Sequence, residues 1–327
     1  MTEKFIIEPV EDWAQWDDCV NASPQGSIFF SSVYLKSTRV PSQAWLIRKG
    51  SAIRGGLCVQ EARNGEECRL DDLVIHNGIW FLSDNNKKLT RTRGERFEIA
   101  ETAIDFLTNR YSVVELALPP QLEDLRPFLW HNYHDPPDKK FHISLRYTSY
   151  LDIRNMADSA FGDEGCETFR QLEAVRQRNL RKAFQEGSNC QPSDNFDALL
   201  ENYRQTMGLT NTDFSAKQQR MKTVMQTLTE NTMGCLYEVT DSDGLQTYGV
   251  FFGWDNKRAY YLFGAGHPDR SATHHGTFAF WEALRDLAST HHITEVDWEG
   301  VNSPQRGWFK MSFGGSLLPY YELIWNS

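Results

Sequence analysis

The stretch that most restricts the fold is residues 293–323, ITEVDWEGVNSPQRGWFKMSFGGSLLPYYEL. Its first residues set apolar Ile293 and Val296 among acids and read as a strand tipped by Asp297 and Glu299. Alternation along that strand would turn both carboxylates to one face. Gly300, Asn302, Ser303, Pro304 and Gly307 are turn formers and predict a loop. Residues 308–313 make a short amphipathic piece in which Lys310 stands among Trp308, Phe309 and Phe313. Gly314-Gly315 stops it. Residues 317–323 follow as an aromatic strand, with Pro319 at an entry or edge position. An acid-tipped strand, a polar loop and a lysine among aromatics make a candidate small-molecule site.

The rest of the chain supplies the frame. With 327 residues it has room for two domains of ordinary size or one large one. Residues 5–10 predict a strand, 10–20 a short helix, and 26–36 a strand end turning into a helix. Residues 44–48 and 53–61 predict a hairpin broken at Lys49-Gly50-Ser51, with further strands at 70–75 and 78–82. Phe97, Ala100, Ile104 and Leu107 recur at helical spacing and predict a helix over 91–109. Strands are expected at 113–118 and 141–153, with a polar loop at 132–140 and a domain junction near Tyr150. The second half predicts helices at 169–186, 196–207 and 215–229 and a hairpin of 234–240 with 247–254. A strand at 258–264 and a helix at 277–291 complete it.

Charge narrows the partners. The net charge of −10 disfavours DNA and anionic membrane as partners of the whole surface. Six scattered cysteines suit reduced thiols. The first residues have no signal-peptide pattern, and no run approaches the roughly 20 apolar residues of a membrane span. A cytoplasmic location is expected. The histidines form no metal set by spacing: His131 and His134 are three apart, and His274-His275 and His291-His292 are bare pairs with no cysteine or carboxylate at ligand spacing. No metal is expected.

Asp297-Trp298-Glu299-Gly300, Phe309-Lys310 with Phe313-Gly314-Gly315, and Pro319-Tyr320-Tyr321 together resemble the closing signature of Fem-like proteins, tandem GNAT-fold acyltransferases that include the peptidoglycan interpeptide-bridge aminoacyl transferases. The resemblance runs from Phe29 to Tyr321 and is concentrated in the second half. It implies an α/β (mixed α+β) fold of two tandem GNAT-like domains, each a mixed sheet flanked by helices. The boundaries expected are 1–149, completed by 317–327 if the last strand returns to it, and 150–316.

An ammonium desolvated among aromatics, such as that of Lys310, can stabilise the oxyanion formed when an amine attacks an acyl carbonyl. The resemblance places the lysine of a Phe-Lys pair, here Phe309-Lys310, in the reaction. Asp297 or Glu299 is the candidate general base. The resemblance further implies substrate contacts from Tyr261, from Tyr34 and Lys36 in FFSSVYLK, and from Lys217. Arg178 and Arg181 belong to a basic segment, RNLRKA, that resembles one common in the family's second domain and so implies contact with a phosphate, lipid-linked sugar or tRNA. In acetyltransferase folds a strand-to-helix junction cradles the pyrophosphate of coenzyme A through Arg or Gln, two residues, Gly, one residue, and Gly or Ala. Here Gly276 matches the first glycine, with His275 and Thr277 beside it, but Thr273 and Phe278 depart from the pattern. Acyl-CoA is the cofactor so implied.

The function expected is N-acyl transfer to the amine of a cell-envelope or polysaccharide precursor, a small molecule or a lipid-linked sugar. The alternatives are aminoacyl transfer from aminoacyl-tRNA in the manner of peptidoglycan-bridge enzymes, or a catalytically inactive binding paralogue.

Overall fold

The structure is a computed structural model that describes residues 4–83, 87–157 and 166–327. It divides into two units, Met1–Arg146 with Pro319–Ser327, and Tyr147–Leu318. In chain order the elements of the first part are β1 (Phe5–Pro9), α1 (Trp13–Ala22), α2 (Ser32–Thr38), β2 (Ser42–Lys49), β3 (Ala52–Gln60), β4 (Glu67–Cys68), β5 (Gly78–Phe81), α3 (Leu89–Arg110), β6 (Val113–Leu118), α4 (Arg126–Trp130) and β7 (His142–Asp152). There follow α5 (Glu167–Gln171), α6 (Ala174–Gln185), β8 (Asn189–Ser193), α7 (Phe196–Thr206), α8 (Asn211–Glu230), β9 (Gly234–Thr240), β10 (Gln246–Trp254), β11 (Ala259–Gly266), α9 (Thr273–Ser289), β12 (Glu295–Asp297), α10 (Pro304–Met311) and β13 (Ser316–Asn326).

In the first unit, β1, β2, β3 and β5 form an antiparallel sheet in that order. The unit also contains a second set, β4 parallel to β6 and β6 antiparallel to the end of β13. The core follows from the periodicity of α3, which buries Ile99, Ala100, Ala103, Ile104 and Leu107 against Leu57, Val59, Leu116 and Leu323. Asp12 caps α1 by accepting the N–H groups of Ala14 and Gln15 at 2.9 and 3.1 Å.

In the second unit the strand order is β7, β12, β11, β10, β9, β8. Among the described residues of this unit only the β11–β12 pair is parallel, and the helix between these strands, α9, makes the crossover. α9 is apolar almost all round and lies in the centre of the core, with Phe280, Trp281, Ala283, Leu284 and Leu287 buried among Val250, Phe252, Val296 and Trp298. A register shift between Phe251 and Phe252 re-aims the middle of β10.

Several elements depart from the sequence expectation. Residues 70–75 form no named strand; Asp71 and Val74 close a turn through one isolated bridge. The strand end expected before α2 is a 3-10 turn, Ile28–Phe30. The helix expected over 169–186 is two helices, because the Glu173 N–H donates to the Ser312 carbonyl at 3.0 Å and so leaves the helical ladder. β8, which carries Pro192, lies at the edge of its sheet, where a missing N–H is tolerated. α9 begins at Thr273, so Gly276 and Thr277 lie inside the helix and not in the loop before it.

The double glycine keeps its predicted role. Gly314 and Gly315 have φ of 91° and 105°, a region that L side chains avoid. A Cβ at Gly315 would lie 2.7 Å from Ser149 Oγ and 2.8 Å from the Tyr150 carbonyl oxygen, whereas at Gly314 the nearest atom is Gln171 Cβ at 3.6 Å. Gly315→Ala is expected to cost on the order of 3 kcal/mol by strain plus overpacking, and Gly314→Ala only the strain. Denaturant midpoints of the two variants check this; equal losses would remove the steric argument.

Candidate active site

β12 ends at Asp297, one residue before Trp298, and that residue sets the geometry. Trp298 is fully buried against Phe280 and Phe313, with ring centroids 5.5 and 5.3 Å away. Its N–H donates to the Ser149 carbonyl at 2.9 Å, which anchors the chain to β7. Beyond it Glu299 turns into the left-handed region, φ 51°. Such a conformation is uncommon for a non-glycine residue. The Asp297 carboxylate holds it there: Oδ1 accepts the Glu299 N–H at 2.7 Å and the Thr148 hydroxyl at 2.5 Å. The two carboxylates therefore come together through a tight turn, not through alternation along a strand, which is the correction to the sequence expectation.

Both acids are almost fully withdrawn from water, Asp297 at 1% and Glu299 at 6% exposure. Among the described residues, Asp297 Oδ2 and Glu299 Oε1 have no hydrogen-bond partner. Burial pushes the Asp297 carboxyl up to about 6, opposed by its bonds to Thr148 and to the Glu299 N–H. Burial, and then the neighbouring Asp297, hold the Glu299 carboxyl well above the usual carboxylate range.

Lys310 completes the cluster. α10 is pressed onto the loop before it, since a Cβ at Gly307 would lie 2.3 Å from the Val301 carbonyl oxygen. That contact brings Lys310 Nζ to the Gly300 carbonyl at 3.1 Å and the Glu299 carbonyl at 3.5 Å, and over the Tyr261 ring at 5.0 Å. Burial lowers its pKa to about 8, against the pull of Glu299 and Asp297. Lys310 and Tyr261 are half-buried and form the accessible side of the cluster. Burial also raises the Tyr261 hydroxyl well above its ordinary value. One expected neighbour is absent: Trp308 is 68% exposed and does not shield the lysine. Phe309 and Phe313 pack on Phe280 instead, at 5.3 and 5.6 Å.

Arg176, which the sequence groups with the basic, solvated face of residues 169–182, is instead buried and ties this region to two helices. It is 8% exposed, donates to Ser312 Oγ at 2.8 Å and Thr277 Oγ1 at 2.9 Å, and lies 4.5 Å over the Phe309 ring. A signal was present: Leu172, Arg176 and Leu180 recur at inward helical spacing, and all are buried. The arginines named from the sequence face outward. Arg178 is exposed, and Arg181 is exposed with its guanidinium 5.6 Å over Phe169.

The residues expected at the phosphate cradle have other partners. Thr277 Oγ1 accepts from Arg176 and, at 3.2 Å, from Asn179. His275 Nδ1 accepts the Ala272 N–H at 3.1 Å, and the His275 N–H donates to the Ala272 carbonyl at 3.0 Å. Gly276 faces the Tyr248 ring, 3.0 Å from where its Cβ would be. The side chains expected at the cradle are thus engaged by their own chain. Lys217 is half-buried on α8. In the first unit, the Tyr34 hydroxyl is committed to the Leu73 carbonyl at 2.6 Å, and Lys36 Nζ sits 5.4 Å over the Trp13 ring.

Residues 171–304 match the family model described as Acetyltransferase (GNAT) domain. Among solved structures the chain is similar to FemX, with TM-score 0.63 at 12% identity over 97% of this chain and 96% of that one. It is also similar to a tandem GNAT protein from the clavulanic acid biosynthesis pathway, TM-score 0.54 at 12% identity over 99% and 98%. A third is the C-terminal domain of a putative lysylphosphatidylglycerol synthetase from Agrobacterium fabrum, TM-score 0.57 at 11% identity over 97% and 92%. No curated protein matches by sequence. Residues 171–304 thus match a GNAT domain, and the whole chain has the fold of FemX and of the tandem GNAT protein.

Proposed function

We propose that the chain transfers an acyl group to the amine of a cell-envelope or polysaccharide precursor at the cluster of Asp297, Glu299 and Lys310. The observation that carries this is the pairing of two buried carboxyl groups, each with its pKa raised by burial, with a half-buried ammonium in one water-poor place. Groups whose environments push their pKa values towards neutrality are suited to proton transfer at neutral pH. The amine nitrogen attacks the acyl carbonyl carbon, and the Asp297 carboxylate, ionised above about 6, takes the proton that the nitrogen sheds. The Lys310 ammonium faces the oxyanion. Collapse forms the amide, breaks the bond to the donor's leaving group, and returns a proton to that group.

The donor is the open half of this reading. The engagement of the first-turn side chains of α9 by their own chain favours a donor that does not need a pyrophosphate cradle there, and so supports aminoacyl-tRNA as the second reading. Two assays separate them. The protein is incubated with an amino-sugar precursor and either acetyl-CoA or aminoacyl-tRNA, and acylated amine is read by mass spectrometry. Product from one donor class assigns it; no product from either, with no donor raising the melting temperature, would overturn the proposal.

The lysine also sets a pH dependence. If the protonated form acts, activity falls as pH rises through about 8. Asp297, ionised at that pH, raises the Lys310 pKa, so Asp297→Asn is expected to move that alkaline limb to lower pH. A limb unmoved in the kcat profile would show that Lys310 is not the group titrating.

A further inference from the structure

The fold brings a carboxylate to a histidine pair that the sequence leaves bare. α6 ends at Glu186 and α9 begins beside it, so Glu186, His274 and His275 converge, with their ligand atoms within 4.8 Å of one another. His274 Nε2 lies 2.8 Å from Glu186 Oε2, yet among the described residues this buried nitrogen has no hydrogen-bond partner. The contact is therefore close without being a well-directed N–H···O bond. The two imidazoles are 4.2 Å apart between centroids, and both are buried.

We propose that Glu186, His274 and His275 bind a divalent first-row metal ion of the zinc type. Two imidazoles and one carboxylate are a donor set that such ions take, and three protein ligands leave a fourth position for water or an anion. Burial lowers the pKa of both rings, which favours the neutral form that ligates. The ion would replace a misdirected pair with two directed bonds, from His274 and Glu186. His275 Nδ1 accepts the Ala272 N–H, which leaves Nε2 as its nitrogen without that bond. Lys182, 3.6 Å from Glu186, is the local rival for the carboxylate. The site joins the end of one helix to the start of another, so ion binding would stabilise their junction whatever reaction the unit performs.

The test uses tag-free full-length protein, stripped with chelator and titrated with Zn²⁺ and Co²⁺. The expected result is one ion per chain, a rise in melting temperature with metal concentration, and a cobalt spectrum without thiolate charge transfer. His274→Ala and Glu186→Gln should each weaken binding by more than the roughly 10–100-fold that outer-shell partners cost. Lys182→Ala should leave binding equal or stronger. Circular dichroism shows whether each variant is folded, and Glu186→Gln alters a half-exposed side chain that can change without loss of packing. No stoichiometric metal, a thiolate spectrum, or unchanged affinity in folded Glu186→Gln would each overturn the site and leave His274 and Glu186 as a simple ion pair.

Discussion

Lys310→Met is expected to lower kcat by about 10²–10³ while KM stays nearly constant, the signature of a group that acts on the transition state. Methionine has similar length and suits a place beneath the Tyr261 ring. The fold should survive for electrostatic reasons as well. The two carboxylates beside the lysine already hold protons more tightly than ordinary acids. Losing the cation raises both further, so each neutralises instead of remaining as a buried charge. What is lost structurally is chiefly the bond to the Gly300 carbonyl, worth about 1 kcal/mol. Melting temperature and steady-state kinetics on whichever donor proves active check both halves. Wild-type kcat in a folded Lys310→Met protein would remove the lysine from the chemistry and leave Tyr261 and Glu299 as the groups to test. A collapse in stability would instead give it a structural role.

What could be read from the sequence depended on whether the cause was local. The periodicity of α3, the hairpin of β2 with β3 and the stop at Gly314-Gly315 rest on neighbours in the chain, and each is present. The break between α5 and α6 rests on Ser312, far along the chain, and no pattern within 169–186 announces it. Asp297 and Glu299 were legible as a pair, but the turn that joins them depends on Thr148 and on the left-handed backbone at Glu299. Tyr261 was placed only through the Fem-like resemblance, and its ring does lie against Lys310. Glu186 beside His274 is the extreme case: spacing rules search short windows, while tertiary packing of α6 on α9 makes this contact. Functional centres are where such long-range causes gather, because they combine groups that local propensity would keep apart.

Trp298→Ala is expected to be the most destabilising single change in the second unit, by about 3–5 kcal/mol, the usual range for a fully buried Trp replaced by Ala. The side chain is without exposure and touches Phe280, Phe313 and Tyr261, so several rings lose a partner at once. Its Nε1–H is also buried with no acceptor. Trp298→Phe therefore offers a control: it leaves a smaller cavity and deletes an unsatisfied donor, so its cost should be under half that of alanine. Urea unfolding followed by far-UV circular dichroism measures both. The pair tests function as well as packing, because Trp298 spans the link between the two carboxylates and backs the ring beneath Lys310. If Trp298→Phe is nearly as stable as wild type but loses the alkaline limb near pH 8, the tryptophan sets the burial that tunes the lysine. If both variants unfold alike, the indole makes contacts that its ring neighbours do not account for. A loss below about 1 kcal/mol in Trp298→Ala would mean that the core around α9 is not packed as described.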